Sequence, residues 1–465
     1  MSIFPQIRAG EAAPCRPWPR FSLSSAAWAD IAARLADHEA PELVALWADT
    51  KQVHALFRDA GDTLIASVAV EAGCYPALSR TCPDASRFER LINDLWGHTA
   101  TNSIDERTWL DHGRWPMAHP LSPRPALPGG AVEPPQFPAP PEEPGVMQVP
   151  LGPVHGLIAE PAHLRITACG DRVLYAESRL GYAHKGILAL MRGKSPRAAA
   201  RFIARLAAEA TVAHSVAFAL AAEAALDTPA PPRAIALREA MLEHEAAAGH
   251  LDDLARLADA AGLAPLNAAF VTYREQLLRA AEHAFGHRLM MDVVVPGGVA
   301  ADIAPDGLTM LRHAWAEVAR ALPVLQRRLD PLLGRLDDLG ATPAAAPQRP
   351  GMHATGDAAA RCQDRMAAIG DRLHRLLAGL HTLPDGPLSL ALPAESGEGL
   401  ESAPSLRGPI WHWLRLDHGQ IAAGFPCDPG WSLWPQAEAA LAEASVEDQE
   451  LIRLSFGLPC AALDL

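Results

Sequence analysis

Residues 206 to 226 read LAAEATVAHSVAFALAAEAAL, and this is the most apolar long run in the chain. It carries Glu209, His214 and Glu223, each of which would be costly in a helix facing lipid. The run therefore predicts a buried helix of a soluble protein. Around it, helical periodicity dominates from Ser195 onward and predicts helices over 196–226, 233–261, 265–286, 305–339 and 355–381. Just upstream, residues 153–182 read as short strands with a turn at Gly170-Asp171. Toward the end, Ile410–Leu416 and Gln420–Phe425 read as a strand pair joined at His418-Gly419.

The front of the chain has a different texture. Residues 24–60 mix helical patterning with short apolar runs, and Thr63–Val70 has strand composition. Between Ser122 and Pro150 prolines crowd together, with Gly129 and Gly130 among them. Proline removes donors and fixes φ, so an extended linker is expected over 122–148. An α+β protein follows: an N-terminal α/β domain over 20–121, the linker, and an α-rich domain with small β-sheets over 149–465. A second, Ala- and Pro-rich linker is expected at 341–350.

The 465 residues carry 54 acidic against 40 basic side chains, a formal net charge of −14, and 49% hydrophobic content. That is enough for two or three cores and too apolar for a disordered chain. The acidic balance argues against nucleic acid as a partner, because phosphate binders carry basic stripes. The seven cysteines form no C-x-x-C pair, which removes zinc ribbons, thioredoxin-type motifs and disulfide-dense frameworks. Arg8, Glu11 and Arg16 lie among prolines where a signal peptide would have its apolar region, so a cytoplasmic location is expected.

Two motif look-alikes are set aside. His244-Glu245 followed by His250 puts the histidines six apart, whereas a zinc-protease helix needs them four apart on one face. Pro296-Gly297-Gly298 is a tight turn without the strand–GxGxxG–helix context, so no dinucleotide fingerprint for NAD is present.

Several strings resemble a known family. Phe88-Glu89-Arg90-Leu91-Ile92-Asn93-Asp94-Leu95-Trp96-Gly97, then Trp109–Pro116 and His119-Pro120-Leu121, resemble the C-type (30 kDa) subunit of proton-pumping NADH-quinone oxidoreductase. Gly152-Pro153-Val154-His155, Glu160-Pro161-Ala162-His163-Leu164-Arg165 and Arg179–Gly186 are similar to the opening of the D-type (49 kDa) subunit. They are similar also to its relatives, the large subunits of membrane-bound energy-converting [NiFe] hydrogenases of the formate hydrogenlyase kind. His214-Ser215 leading to Glu223, the helix with Glu245, His250 and Asp253, Val295–Val299, Arg407–Trp413 and Asp428–Trp431 continue the resemblance in order.

The resemblance implies a fused C-type/D-type chain, its second part a hydrogenase-large-subunit-like domain. It implies a non-autonomous subunit of an electron-transport oxidoreductase, peripheral on the cytoplasmic face of the inner membrane. The partners implied are an iron–sulfur small subunit, which brings the cluster, and antiporter-like membrane-arm subunits. The metal ligands of the hydrogenases fall on Ala207, Ala210, Cys460 and Leu463, so no nickel or iron is expected here. The glutamate after the His-Lys-Gly string falls on Leu188. No directly bound cofactor is expected, a quinone being the possible ligand. His155 and His163 match the histidine that would donate to a quinone carbonyl, while the tyrosine of that pocket falls on Ala208. His214 is a further cofactor-facing candidate, or a satisfied core histidine. The apolar tail, Phe456 to Leu465, is expected to tuck beside the Ala207–His214 segment. A scaffold without chemistry is the alternative.

Overall fold

The computed structural model describes residues 2–37, 40–59, 61–127, 137–155, 160–342, 356–379 and 383–465. The first unit is a five-stranded sheet in the order Glu11–Ala13, Arg20–Leu23, Asp62–Ala69, Gln52–Asp59, Glu42–Ala48. Only the pairing of Arg20–Leu23 with Asp62–Ala69 is parallel. The last three strands named are buried along nearly their whole length. They read as continuous apolar runs because both faces are covered. The covers are the helices Ser25–Arg34 and Ala85–Trp96 and a C-terminal sheet that brings Trp413 to 5.7 Å from Trp47.

A three-stranded antiparallel sheet follows, built from Val146–Leu151, His163–Cys169 and Arg172–Arg179, with its turn at Gly170-Asp171. Part of the expected linker, 128–136, lies outside the described residues; at its far end Val146 already belongs to a strand. The helices Pro232–Ala260, Ala264–Phe285, Gly307–Arg327 and Ala358–Gly379 form a bundle around Leu251, Phe270, Leu277, Trp315, Met366 and Ile369. The chain then forms the antiparallel sheet Gly397–Ser405, Gly408–Asp417, Gln420–Cys427, whose first strand the apolar pattern does not announce. Residues 343–350 of the second expected linker lie outside the described residues.

Residues 206–226 are mostly buried in protein, but the helix expected over 196–226 is not one helix. Pro196–Ile203 and Thr211–Ala225 are separated by a 3-10 turn at Ala208–Ala210. Neither glycine nor proline breaks it there. The Glu245 carboxylate, on the neighbouring helix, accepts from Val212 N at 2.6 Å and Ala213 N at 3.0 Å and so caps a new helix start. Thr211–Ala225 lies directly on the C-terminal sheet. A Cβ at Gly397 or Gly399 would stand 2.0 Å from Ala225 O or 2.1 Å from Ala221 O, which is why two glycines sit there. Among the described residues no single helix is long and apolar enough to cross a membrane.

The segments 20–121 and 149–465 share one apolar core. Trp47, Phe88 and Trp109 from the first pack with Trp413, Phe425 and Trp431 from the second. Ion pairs cross the same boundary: Arg20–Glu398 at 3.0 Å, Arg87–Glu438 at 2.6 Å, and Asp49 with Arg415.

Candidate functional site

Five segments far apart in sequence meet beside the 3-10 turn. The turn before strand His163–Cys169 supplies Glu160, the 3-10 turn Glu209, the helix Pro232–Ala260 Asp252 and Asp253, the hairpin 405–408 Arg407, and the tail Cys460. They enclose a cavity of about 290 Å³, with an adjoining compartment of about 50 Å³ that reaches Glu245 and Arg288.

Hydrogen bonds hold the tail in place. Glu160 Oε2 accepts from the backbone N–H of Cys460 and of Ala461, both at 2.8 Å. Asp464 accepts from Gly181 N at 2.7 Å and Ala183 N at 2.8 Å. The Leu465 carbonyl takes the N–H groups of Lys185, Gly186 and Ile187. Phe456, Cys460, Leu463 and Leu465 are thereby buried. Lys185 Nζ in turn donates to Leu206 O at 2.9 Å, tying the tail's docking turn to the segment before Ala207.

Arg407 organises the charge. Its Nη2 lies 2.9 Å from Glu209 Oε2 and 3.3 Å from Asp253 Oδ1, and its Nε donates to Gly457 O. Arg365 Nε is 3.1 Å from Asp253 Oδ2. Burial works against ionised Asp253, yet Arg407 and Arg365 hold its carboxyl below the ordinary range. Glu209 is the opposite case. Burial pushes it up to about 8, with the carboxylates of Glu160, Asp253 and Asp428 adding to what Arg407 offsets. Glu245 is pushed up to about 8 by burial against its two backbone donors, and Asp464 to about 6 by burial. Two of these acids, Glu209 and Glu245, line the compartments, an arrangement suited to taking up and releasing protons.

The donor set does not fit a nickel–iron centre. Ala207 and Ala210 have no ligating atom, and Leu463 packs against Gly430. Burial, with Glu160 and Asp464 nearby, keeps the Cys460 thiol neutral, the wrong form for a metal ligand.

None of His155, His163 and His214 lines either compartment. His155 is exposed. His163 is half-buried, its ring 4.7 Å from Phe137, and its Nε2 is buried without a hydrogen bond among the described residues. His214 is fully buried, with Nδ1 3.1 Å from His412 Nε2 and Nε2 3.4 Å from Asp428 Oδ2. In place of the histidines, the cavity is lined by Glu160, Glu209, Asp253 and Arg407. Their signals were present in the sequence: a lone acid at the head of an apolar run, and an Arg-Gly-Pro string. Nothing local marked them as neighbours.

No family model matches the chain. It is 27% identical over 418 residues to hydrogenase-4 component G of Escherichia coli, covering 83% of this chain and 75% of that protein. It is 25% identical over 440 residues to formate hydrogenlyase subunit 5 of the same organism, covering 83% and 76%. It is 30% identical over 198 residues to NADH-quinone oxidoreductase subunit 4 of Thermus thermophilus, covering 41% and 46%. A chain of the membrane-bound sulfane sulfur reductase, an archaeal respiratory membrane complex, superposes with a TM-score of 0.65 at 18% identity, over 70% of this chain and all of that one. The fold is shared with that chain, and the sequence is homologous to subunits of hydrogenase-related, complex I-like assemblies.

Proposed function

We propose that this chain is the peripheral-arm large subunit of a membrane-associated oxidoreductase of the hydrogenase-related, complex I-like kind. In this reading it is a fused C-type/D-type component at the cytoplasmic face of the inner membrane. It docks on an iron–sulfur small subunit and on antiporter-like membrane subunits. One observation carries the reading. Cys460 from the tail and Ala208-Glu209 of the 3-10 turn, which lie at or beside positions where the resemblance puts metal ligands, line one polar cavity together with Asp253 and Arg407. The framework is kept while the metal chemistry is lost, so the chain would act through its carboxyl groups, coupling proton uptake to electron transfer in its partner. A quinone there would draw its hydrogen bonds from Glu209 and Arg274, since the three histidines stand elsewhere.

Affinity purification of the tagged chain from native membranes tests the assignment. An iron–sulfur subunit and membrane-embedded subunits should co-purify in stoichiometric amount, with a cluster signal in electron paramagnetic resonance; recovery of the chain alone, without iron, refutes it. The absence of ligating atoms at Ala207, Ala210 and Leu463 favours a second reading, an inert assembly scaffold. Glu209→Gln separates the two: turnover of the assembled complex falls several-fold if the acid works, and is unchanged in a scaffold.

A further inference from the structure

Charge and partner bookkeeping around the cavity identify what it takes. Glu160 is occupied by two backbone donors, Asp253 by Arg365 and Arg407, and Asp252 by Arg256 and Arg274. Each of these carboxylates thus has a partner within the protein through at least one oxygen, as Glu209 has in Arg407. Donors are in surplus: Arg274, which lines both compartments, makes one ion pair through Nε at 3.3 Å and no hydrogen bond among the described residues. Apolar surface from Leu289, Trp434, Leu454 and Leu458 forms the rest of the wall.

We propose that this cavity binds a small organic carboxylate, its charged end held by Arg274 beside Glu209 and its hydrocarbon part against Leu289, Trp434 and Leu458. The proposal rests on the reading that the cavity, and no metal, is the working site. Five arginines line the two compartments: Arg256, Arg274, Arg288, Arg407 and Arg453. Five carboxylates face them: Glu160, Glu209, Glu245, Asp252 and Asp253. The charges balance by count, and the donor capacity left over is that of Arg274, which is paired through Nε alone. His244 and Cys460, the other titratable groups on the wall, stay uncharged at neutral pH because burial pushes the imidazole down to about 4 and the thiol upward. An anion therefore suits Arg274 better than an uncharged quinone does, because the guanidinium fork matches a carboxylate in charge and in shape. Protonated Glu209 adds an O–H donor, so affinity falls as pH rises through the range where Glu209 ionises.

Isothermal titration of the full-length chain with sodium benzoate and with benzamide, its uncharged isostere, tests this. Benzoate should bind one per chain, at least about tenfold tighter than benzamide, and Arg274→Ala should lose at least about tenfold in affinity. Arg274→Lys, which keeps the charge, should retain intermediate affinity, and equal thermal melting of the variants shows that folding is intact. Wild-type affinity should drop between about pH 7 and 9, whereas Glu209→Gln should be flat over that range. Equal binding of benzamide, indifference to Arg274→Ala, binding of a short-chain benzoquinone or of magnesium with none of benzoate, or no binding of any of them overturns the proposal. Because the titration uses the isolated chain, it reads the ligand independently of whether the partner subunits co-purify.

Discussion

A buried carboxyl group keeps its proton into neutral pH, and at Glu209 and Glu245 this links stability to pH. Both are pushed up to about 8 in the folded chain and have ordinary acidity when unfolded. Folding therefore takes up protons between the ordinary carboxylate range and about pH 8, and stability falls as pH rises across that window. Asp464, at about 6, adds to the lower part of the same slope. Asp253, held low by Arg407 and Arg365, has the opposite sign and acts only in acid. Urea melts of wild type and Glu209→Gln at several values between about pH 5 and 8.5 should show the wild type losing ground steadily as pH rises; parallel curves would sink the assignment. At the former ligand positions, elemental analysis after growth in nickel should find less than about 0.1 nickel per chain, because alanine and leucine cannot ligate. A stoichiometric value would require a donor set other than Ala207, Ala210, Cys460 and Leu463.

Elements depend on close approach as much as on propensity. The helix Thr211–Ala225 touches the strand Gly397–Ser405 so tightly that a methyl group at Gly399 meets a backbone carbonyl, which cannot swing aside as a side chain can. Gly399→Ala should cost about 3 kcal/mol in chemical denaturation, with the far-UV spectrum retained. The same contact shows what was legible in advance. Three of the four bundle helices and the hairpin 408–427 were readable because their apolar periodicity is their own, whereas the helix expected over 305–339 ends at Arg327 and a separate one begins at Asp330. The break between Ile203 and Thr211 was not, since a carboxylate 33 positions away in sequence makes it. Nor was the strand Gly397–Ser405, whose Gly, Glu, Ser and Pro residues lack strand composition and are held by their neighbours. The site divides likewise: the tail is expected beside the Ala207–His214 segment, and Cys460 does line one cavity with Ala208 and Glu209, but His155 and His163, expected to line it, are not in its wall. Residue type alone could not say which polar groups the cavity would collect.

At the scale of the whole molecule, the contacts across the boundary between 20–121 and 149–465 outweigh the covalent connection. Burying a cluster of tryptophans and phenylalanines contributes several kcal/mol on the usual area scale, and the crossing ion pairs of Arg20 and Arg87 add orientation more than energy. The proline-rich segment is thus a tether between parts of one core, and cutting it should not separate them. Arg124 and Phe137 are each followed by proline, which blocks trypsin and chymotrypsin, but Glu142 is exposed and followed by Glu143. A glutamate-specific protease should therefore nick the native chain after Glu142. The two fragments should then co-elute in gel filtration at the position of the intact protein and part only in denaturant. Elution as separate fragments under native conditions would mean that the aromatic contacts between Trp47 and Trp413 and between Phe88 and Trp431 are too weak to hold the halves together. The cavity would then be the property of residues 149–465 alone.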